Sequence, residues 1–416
     1  MSRLGAAPDA RPGETGPRSG RALVVLGIIV LAFNLRPAAV SVGPVLDELS
    51  DSLRMGTVAT SLLTSLPVLS FATIGALAPR IGRGLGLHRT TLVALLLVAA
   101  GLFARVRVHD QWTFLILSFV ALAGMAVANV LLPSLVKLHF PDQVGTMTAL
   151  YSTALAIGLT SASVLTVPIS TRHGHLDWRH GLMVWGVTAL IAAVPWVALV
   201  RRDRVVRPAS TPIGTGEVAR TRLGWVMGVF FGLQSLQAYS IFGWTAKVYR
   251  DAGFDAHNAG LLLGVITGVS IPLSFLIPAA TVRVKDQRLL LSAIMAAYPI
   301  GYLGLIIAPH GGAWVWAVAL GVGTCTFPFI LTLIGLRART PAGTAALSAF
   351  TQSAGYLIAA LGPFGVGALH AATGGWSVPL AILLALCVPM YAIGLIACRP
   401  TYVEDQLASV EGKPAS

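Results

Sequence analysis

Apolar runs of about twenty residues dominate the chain, and polar residues are concentrated in the short stretches between them. A helix that crosses the hydrocarbon core of a bilayer needs about 20 mostly apolar residues. By that criterion the sequence predicts twelve membrane-spanning helices. They cover residues 22–46, 57–79, 90–108, 112–137, 144–170, 178–200, 222–248, 258–282, 288–308, 312–336, 342–369 and 375–398.

One long polar interruption, residues 201–221, divides the predicted helices into six and six. The two sets are weakly similar, since Lys137 and Pro141 recur as Arg337 and Pro341, each 200 residues later. Two related six-helix halves joined by a loop are typical of the all-α major facilitator fold, whose substrate site lies between the halves near the bilayer midplane. We therefore predict a disordered tail at 1–20, an N-terminal half at 21–200, a cytoplasmic linker at 201–221, a C-terminal half at 222–399 and a cytoplasmic tail at 400–416.

The Lys and Arg residues are divided unequally between the two sides of the predicted membrane. With both termini in the cytoplasm, 21 of the 29 lie on the inner side, 7 lie on the outer side, and Arg36 remains inside a span. This bias satisfies the positive-inside rule. It predicts a multi-pass protein of the plasma membrane with cytoplasmic termini, and it accounts for the net charge of +13 without a nucleic-acid partner.

Composition narrows the function classes further. Hydrophobic residues make up 55% of the chain and charged residues only 11%, whereas soluble domains carry about 25% charged residues. A soluble enzyme, a secreted disulfide scaffold and a nucleic-acid-binding domain are therefore excluded. Cys325, Cys387 and Cys398 are too isolated to form a metal site by spacing. We expect a monomer surrounded by lipid, with no cofactor and no metal.

Carboxylates and imidazoles are missing from the middle of every predicted span. All 16 Asp and Glu residues and all nine His residues fall in tails, loops or helix ends. The usual parts of an intramembrane proton relay are thus absent, although a coupled proton remains an open alternative. His173, His175 and His180 lie together in an outer loop. Metal binding by these three is possible by residue type, but we interpret them as part of a solvated loop.

Arg36 is the exception among the charged residues. It lies roughly 15–20 Å from either end of its predicted helix at 1.5 Å rise per residue, and a central Arg costs about 2.5–3.5 kcal/mol to insert. Our functional interpretation is that the missing counter-ion is an anionic substrate, gripped by the guanidinium fork. The alternative is a structural lock, in which Arg36 binds helix-end carbonyls. Pro37 lacks an N–H and predicts a kink in this helix.

The other candidate substrate-binding side chains are polar groups at predicted midplane depth. Gln234, Gln237 and Trp244 follow one helical face, and Gln352 and Tyr356 are i, i+4 neighbours. Amides also serve as hydrogen bonds between membrane helices, so each retains that alternative. The candidates are Asn34, Asn129, Gln234, Gln237, Trp244, Gln352 and Tyr356.

A candidate gate follows the second predicted helix. Residues 75–83 read Gly-Ala-Leu-Ala-Pro-Arg-Ile-Gly-Arg and resemble the cytoplasmic signature loop of major facilitators. We expect Gly75, Arg80, Gly82 and Arg83 to form a gating element, with a tight turn at Gly82. Pro79 stands where that loop usually has Asp, so the carboxylate of its charge relay is missing.

Several strings together resemble one branch of this superfamily, the cyanate and 2-nitroimidazole transporters. They are Asn34-Leu35-Arg36-Pro37, Ala128-Asn129-Val130-Leu131-Leu132-Pro133, Gly232-Leu233-Gln234-Ser235-Leu236 with Tyr239, and Gln352-Ser353-Ala354-Gly355-Tyr356. The resemblance implies a twelve-helix carrier of small anions or nitrogen heterocycles. It leaves the direction open, because the family contains importers and exporters.

These observations predict a secondary transporter that works by alternating access, with Arg36 as the midplane anion anchor. The lack of a buried acid favours facilitated exchange or export. The alternative is a proton-coupled exporter of neutral or cationic drugs, which would need a midplane acid. A polytopic membrane enzyme would need clustered acids or histidines on facing segments, and a channel would need repeated rings of charge.

Overall fold

The computed structural model describes residues 18–172, 175–202 and 214–410. Within these ranges the chain forms twelve long helical segments, some of them interrupted. They are α1 (Arg18–Asn34 and Pro37–Val40), α2 (Thr57–Ser70, Phe71–Gly75 and Ala76–Leu85), α3 (Leu87–Arg105), α4 (Gln111–His139), α5 (Val144–Ser170), α6 (Trp178–Leu199), α7 (Arg222–Asp251), α8 (Ala256–Arg283), α9 (Gln287–Met295 and Ala297–Ile307), α10 (Ala313–Thr324 and Thr326–Leu336), α11 (Pro341–Ala359 and Leu361–Thr373) and α12 (Ser377–Ala397).

Shorter elements complete the described chain. A two-stranded antiparallel hairpin, β1 (Thr171–Arg172) and β2 (His175–Leu176), joins α5 to α6. A last helix, α13 (Val403–Val410), follows α12. The remaining short helices are Gly43–Val45, Leu46–Ser52, Pro141–Gln143, Val200–Arg202 and Thr215–Val218.

Hydropathy separates α7 from the other long segments. Eleven spans in the described chain are long and apolar enough to cross a membrane, and α7 is not among them. Its middle turns carry two Gln residues, two Ser residues and a Tyr, which lower its hydropathy although its length is 30 residues. Most of α7 is buried in the protein, which is where polar groups of a membrane helix find partners.

The chain runs back and forth, so α1 begins and α12 ends at the same end of the bundle. We call that end, which holds Arg21 and Cys398, the terminal face, and the end that holds Asp47 and Lys247 the opposite face. The halves α1–α6 and α7–α12 approach each other closely toward the opposite face. A Cβ on Gly264 would overlap Val164, and a Cβ on Gly367 would overlap Ser61, so glycine is required for this packing.

The predicted kink in the first span is present. The segment Arg18–Asn34 ends three residues before Pro37, which begins the next helical segment. The carbonyl of Arg36 then accepts the backbone N–H groups of Ala39 and Val40 at 3.0 and 3.1 Å. Pro37 has no N–H to donate to the preceding helical turn. The helical hydrogen bonds are therefore interrupted in the middle of the span, at Arg36.

Three boundaries differ from the sequence prediction. The helix of α1 begins at Arg18, inside the predicted tail at 1–20, and the rest of that tail lies outside the described residues. The predicted linker contains helical turns at both of its described ends. Its residues 203–213 lie outside the part of the chain that the structure describes. The predicted C-terminal tail contains α13.

The predicted tight turn at Gly82 is wrong. Gly82 lies inside the helix Ala76–Leu85, where a Cβ would come within 3.0 Å of Leu131. The chain instead turns at Gly86, whose φ of 92° belongs to the left-handed region that glycine tolerates. Gly82 therefore serves close packing of α2 on α4.

Candidate functional site

Arg36 lies at the break in α1, between the two halves of the protein. Its side chain is partly buried, and its Nη1 donates to the hydroxyl of Tyr239 on α7 at 3.1 Å. In the described chain this is its single hydrogen-bond partner, and no carboxylate pairs with it. A guanidinium has five N–H donors, so most of the donor capacity of Arg36 is unused by the protein.

A small cavity lies directly against this guanidinium. Its volume is about 20 Å³, which is room for about one water molecule. Side chains from α1, α2, α5 and α7 line it, so both halves contribute to the wall. Besides Arg36, the lining includes Leu63, Thr64, Pro67, Leu159, Tyr239 and Phe242.

Aromatic rings form the other side of the site. Tyr356 on α11 stacks on Phe71 of α2, with ring centroids 4.9 Å apart and planes 17° apart. The same ring meets Phe231 and Tyr239 edge-on, at 5.1 and 6.4 Å. Tyr239 also accepts a hydrogen bond from Arg36, so it links the Tyr356 ring to the guanidinium. Of the predicted candidates, Arg36 and Tyr356 are therefore brought together, by helices from opposite halves.

The two amides of α7 point elsewhere. Gln237 is fully buried; its Nε2 donates to the carbonyl of Leu383 at 2.6 Å and its Oε1 accepts from Tyr302 at 2.5 Å. Gln237 thus joins α7, α9 and α12 within one half. Gln234 is also fully buried and donates to the neighbouring Ser235 at 2.6 Å, while its Oε1 has no partner in the described chain.

Asn34 and Trp244 are also held by the protein. Asn34 donates to the carbonyl of Val30 at 2.8 Å and accepts the hydroxyl of Thr188 at 2.7 Å, which is the helix–helix contact that the sequence left open. The indole of Trp244 donates to the carbonyl of Pro363 at 2.8 Å. Neither residue lines the central cavity.

Asn129 and Gln352 remain partly buried. Gln352 donates to Ser348, one turn earlier on α11, at 2.9 Å. It lies one helical turn from Tyr356, on the terminal-face side of the aromatic cluster. Neither side chain reaches the cavity beside Arg36.

The predicted gating segment is an extension of α2. A π-helical turn, Phe71–Gly75, precedes it, and a Cβ on Gly75 would rest against Phe71, Val130 and Ala126. Arg80 is exposed. The side chain of Arg83 lies outside what the structure describes.

A group of ion pairs joins the halves at the opposite face. Lys247 of α7 lies 2.8 Å from Asp47, which follows α1, and 3.1 Å from Asp251. Arg250 lies 2.6 Å from Glu48 and 3.3 Å from Asp47. These side chains are about a quarter exposed. The two cations belong to the C-terminal half and two of the carboxylates to the N-terminal half, so the pairs hold the halves together there.

The outer-loop histidines form no metal cluster within the described residues. The Nδ1 of His180 lies 2.8 Å from Asp177, at the start of α6. His175 is exposed in β2, and His173 is outside the described residues.

Sequence reasoning did not identify several residues of the candidate site. Tyr239 entered only through the family resemblance, and its bond to Arg36 joins residues 203 positions apart. Phe71 is an apolar residue in an apolar helix and carries no distinguishing signal. For the ion pairs of the opposite face, the sequence contains one signal that could have identified them. Asp47 and Glu48 follow the first helix of the N-terminal half, and Lys247 and Arg250 lie at the end of the first helix of the C-terminal half.

Comparison with known proteins agrees with this architecture. The family model of the Major Facilitator Superfamily matches residues 24–363. The uncharacterized transporter YycB of Bacillus subtilis is 36% identical over 91% of this chain and 94% of its own length. The 2-nitroimidazole transporter of Escherichia coli is 33% identical over 91% of this chain and 96% of its own. The cyanate transport protein CynX of E. coli is 28% identical over 88% and 94%.

Among solved structures, a bacterial homologue of the human lysosomal transporter Spinster has the same fold. Its TM-score is 0.77 at 13% identity, covering 94% of this chain and 99% of that chain. The relatives named here are transporters rather than enzymes, which removes the membrane-enzyme alternative. Their sequence similarity covers about nine tenths of this chain, so it includes both halves.

Proposed function

The chain belongs to the Major Facilitator Superfamily, and from that premise we propose that it carries a small planar anion or nitrogen heterocycle, with Arg36 as the anchor for the negative charge. That it is a secondary transporter of a small solute follows from its family and relatives. The observation that carries the finer proposal is a central guanidinium with one neutral protein partner, Tyr239, at 3.1 Å.

The chemistry of the anchor follows from its free donors. A guanidinium presents parallel N–H groups that match a planar anion in two hydrogen bonds. Beside a small cavity of limited water content, such a charge-assisted pair is stronger than in bulk water. Tyr239 accepts one N–H and thereby fixes the side chain, which leaves the remaining donors for the solute. An anionic solute would offset the cost of keeping Arg36 at this depth.

The rings around the anchor favour flat solutes. Phe71 stacks on the face of Tyr356 and Phe231 meets the same ring edge-on, and aromatic groups prefer stacked or edge-on partners. Such rings would favour a planar anion or an azole, and the cavity of about 20 Å³ beside Arg36 must widen to admit one. A cationic drug would meet the positive charge of Arg36 with no carboxylate nearby among the described residues, so the alternative of a cation exporter is disfavoured.

Alternating access requires the halves to rock around this site. The positive-inside bias favours a cytoplasmic terminal face, in which case the ion pairs of Asp47 and Glu48 with Lys247 and Arg250 close the site from outside. An outward-open state would have to break them. Because the described spans carry no acid or histidine near their middle to relay a proton, we infer exchange or export of the solute. Import against an inside-negative potential would cost about 2.3 kcal/mol per charge at 100 mV.

Thermal unfolding of the detergent-purified protein tests the anchor. The variants are Arg36→Gln and, as a matched control, Arg107→Gln, which removes an exposed guanidinium at the opposite face. The probes are sodium cyanate, nitrate, benzoate and 2-nitroimidazole. A ligand that binds only the folded state raises its stability by RT ln(1 + [L]/Kd). We expect at least one anion to stabilise the wild type and the control but not Arg36→Gln.

The opposite pattern would contradict the proposal. If neutral azoles stabilise the wild type and Arg36→Gln equally, and no anion stabilises either, Arg36 is a structural lock. The exporter of neutral compounds would then be the better assignment. A purely structural Arg36 would also lower the unfolding midpoint of the variant without any probe present.

A further inference from the structure

A second arginine, Arg105, is buried far from the central cavity with few protein partners. It is the last residue of α3, at the opposite face, and its exposed fraction is 0%. Its Nη1 reaches the hydroxyl of Ser118 only at 3.5 Å, and its Cζ lies 5.7 Å from the ring centroid of Phe114. Nε and Nη2 have no hydrogen-bond partner in the described chain.

A second buried donor without a partner among the described residues lies beyond Phe114. Trp178, the first residue of α6, is 3% exposed. It packs edge-on against Phe114, the ring that Arg105 contacts, with ring centroids 5.7 Å apart. Its indole N–H also has no partner in the described chain. The guanidinium of Arg179 lies 4.4 Å from the ring centroid of Trp178. Two cations and an unpaired N–H donor are thus grouped around two aromatic rings.

The carboxylates nearest in sequence to Arg105 and Trp178 already have other hydrogen-bond partners. Asp110 accepts the backbone N–H groups of Trp112 and Thr113 at the start of α4, at 3.0 and 2.8 Å. Asp177 accepts the N–H of Arg179 and contacts His180 at the start of α6. In the part of the chain that the structure describes, Arg105 forms no ion pair.

An ionised group without a counter-ion is costly to bury, and arginine does not escape that cost by losing its proton. A water molecule would accept hydrogen bonds but would leave the charge uncompensated. We propose that Arg105 binds a small inorganic anion with the size and charge of chloride, between α3, α4 and α6. All three helices belong to the N-terminal half, so rocking of the halves would not open this site. The anion is therefore structural and stays bound through the transport cycle.

The chloride dependence of thermal unfolding tests this site. Sodium chloride is varied against sodium gluconate at constant ionic strength, because gluconate is too large for a fully buried site. We expect the unfolding midpoint of the wild type to rise with chloride and to saturate. Arg105→Met removes the donors and keeps a long unbranched side chain, and its midpoint should not respond to chloride. The control Arg107→Gln removes an exposed guanidinium two residues further along the chain and should respond as the wild type does.

Two results would overturn the proposal. One is a wild-type midpoint that is equal in chloride and gluconate. The other is a chloride response that Arg36→Gln loses and Arg105→Met keeps, which would place the anion in the central cavity. If Arg105→Met fails to fold, bromide-soaked crystals of the wild type decide the question. An anomalous peak beside the Arg105 guanidinium supports the site, and its absence there contradicts it.

Discussion

Arg36 is partly buried and Arg337 is buried, and the two guanidiniums differ in how many hydrogen-bond partners surround them. Arg337, which is 4% exposed, donates to the carbonyls of Ala397 and Cys398 at 3.0 and 2.7 Å and to Gln287 at 3.3 Å. These partners end α12 and begin α9, within one half. Among the described residues, Arg36 donates to Tyr239 alone, across the halves.

The difference separates a structural lock from a binding group. Both interpretations were open for Arg36 from its sequence, because the cost of burying a guanidinium is the same in either case. Arg337 offsets that cost with carbonyls at a helix end, which have no other partner in the helix. Arg36 lies at a helix break but does not bind the freed carbonyls. Its unused donors are the feature that makes it a candidate for solute binding.

The largest effect on stability is expected for Arg337→Met. The substitution leaves the carbonyls of Ala397 and Cys398 without their charged donor, and hydrogen bonds to charged groups contribute roughly 1.5–3 kcal/mol each. We expect a loss of about 2–4 kcal/mol in the free energy of unfolding, with solute affinity of the folded fraction unchanged. Thermal unfolding and binding of the same preparation measure both quantities.

Arg339→Met is the matched control for this variant. Its guanidinium pairs with Asp405 at 2.6 Å but is half exposed, and exposed pairs contribute about 0–1 kcal/mol. An equal loss in the two variants would mean that the buried carbonyl contacts of Arg337 add nothing.

Arg250 represents a third arrangement, a guanidinium that pairs with carboxylates of the other half. Arg250→Gln removes its contacts with Glu48 and Asp47, so the closed opposite face should be less populated. We expect a shift of about 1 kcal/mol in the equilibrium between the closed and open states of the opposite face. A cysteine placed at Thr64, which lines the cavity beside Arg36, should then be labelled faster. Labelling at the wild-type rate would show that these pairs do not close the site.

Tyr239→Phe tests whether the partner of Arg36 positions it. The variant keeps the ring contacts of Tyr239 with Phe242 and Tyr356 and removes one hydrogen bond from a charged donor, which is worth roughly 1.5–3 kcal/mol. Only the part of that energy that orients Arg36 affects solute binding. We expect roughly fivefold weaker anion binding with little change in the unfolding midpoint. Binding as tight as in the wild type would mean that Arg36 is oriented by other contacts.

The smallest effect concerns Glu404, which accepts the backbone N–H groups of Arg339 and Thr340 at 3.0 and 2.9 Å. Partial burial opposes its ionisation, but these N–H groups outweigh it and lower the pKa of Glu404. A carboxyl whose pKa is lower in the folded state stabilises the fold above its unfolded pKa, about 4.3, and loses that contribution as the pH falls through the folded value. Between pH 6 and pH 3 the wild type should therefore lose more stability than Glu404→Gln, by less than about 1 kcal/mol. Parallel pH profiles would contradict this role.

Hydropathy predicts the long helices other than α7, because a bilayer requires long apolar segments with internal hydrogen bonds. The break at Pro37 follows from the missing N–H of proline. The hydrogen-bond partners of polar side chains cannot be predicted from hydropathy in this way. Gln237 binds Tyr302 and Leu383, and Arg36 binds Tyr239; these pairings depend on how each helix is rotated and tilted against helices far away in sequence. A polar residue at midplane depth thus indicates a partner without telling whether it is protein or solute.

The α13 helix illustrates a second limit. Its short sequence contains polar and charged residues, and nothing in it predicts docking. In the structure Gln406 accepts the backbone N–H of Leu223 at 2.9 Å and Asp405 pairs with Arg339. The helix is held by the ends of α7 and α11, so its position depends on tertiary contacts.

Solute counterflow in proteoliposomes tests the central claim about Arg36 most directly. The wild type, Arg36→Gln, Arg36→Lys and the control Arg107→Gln are compared with the anion that stabilises the purified wild type. Truncating one member of a desolvated charge pair costs about 2–5 kcal/mol, so Arg36→Gln should exchange the anion at least about thirtyfold more slowly at low concentration. Arg36→Lys, which keeps the charge but loses the fork, should fall between. Counterflow by Arg36→Gln at the wild-type rate would contradict the anchor.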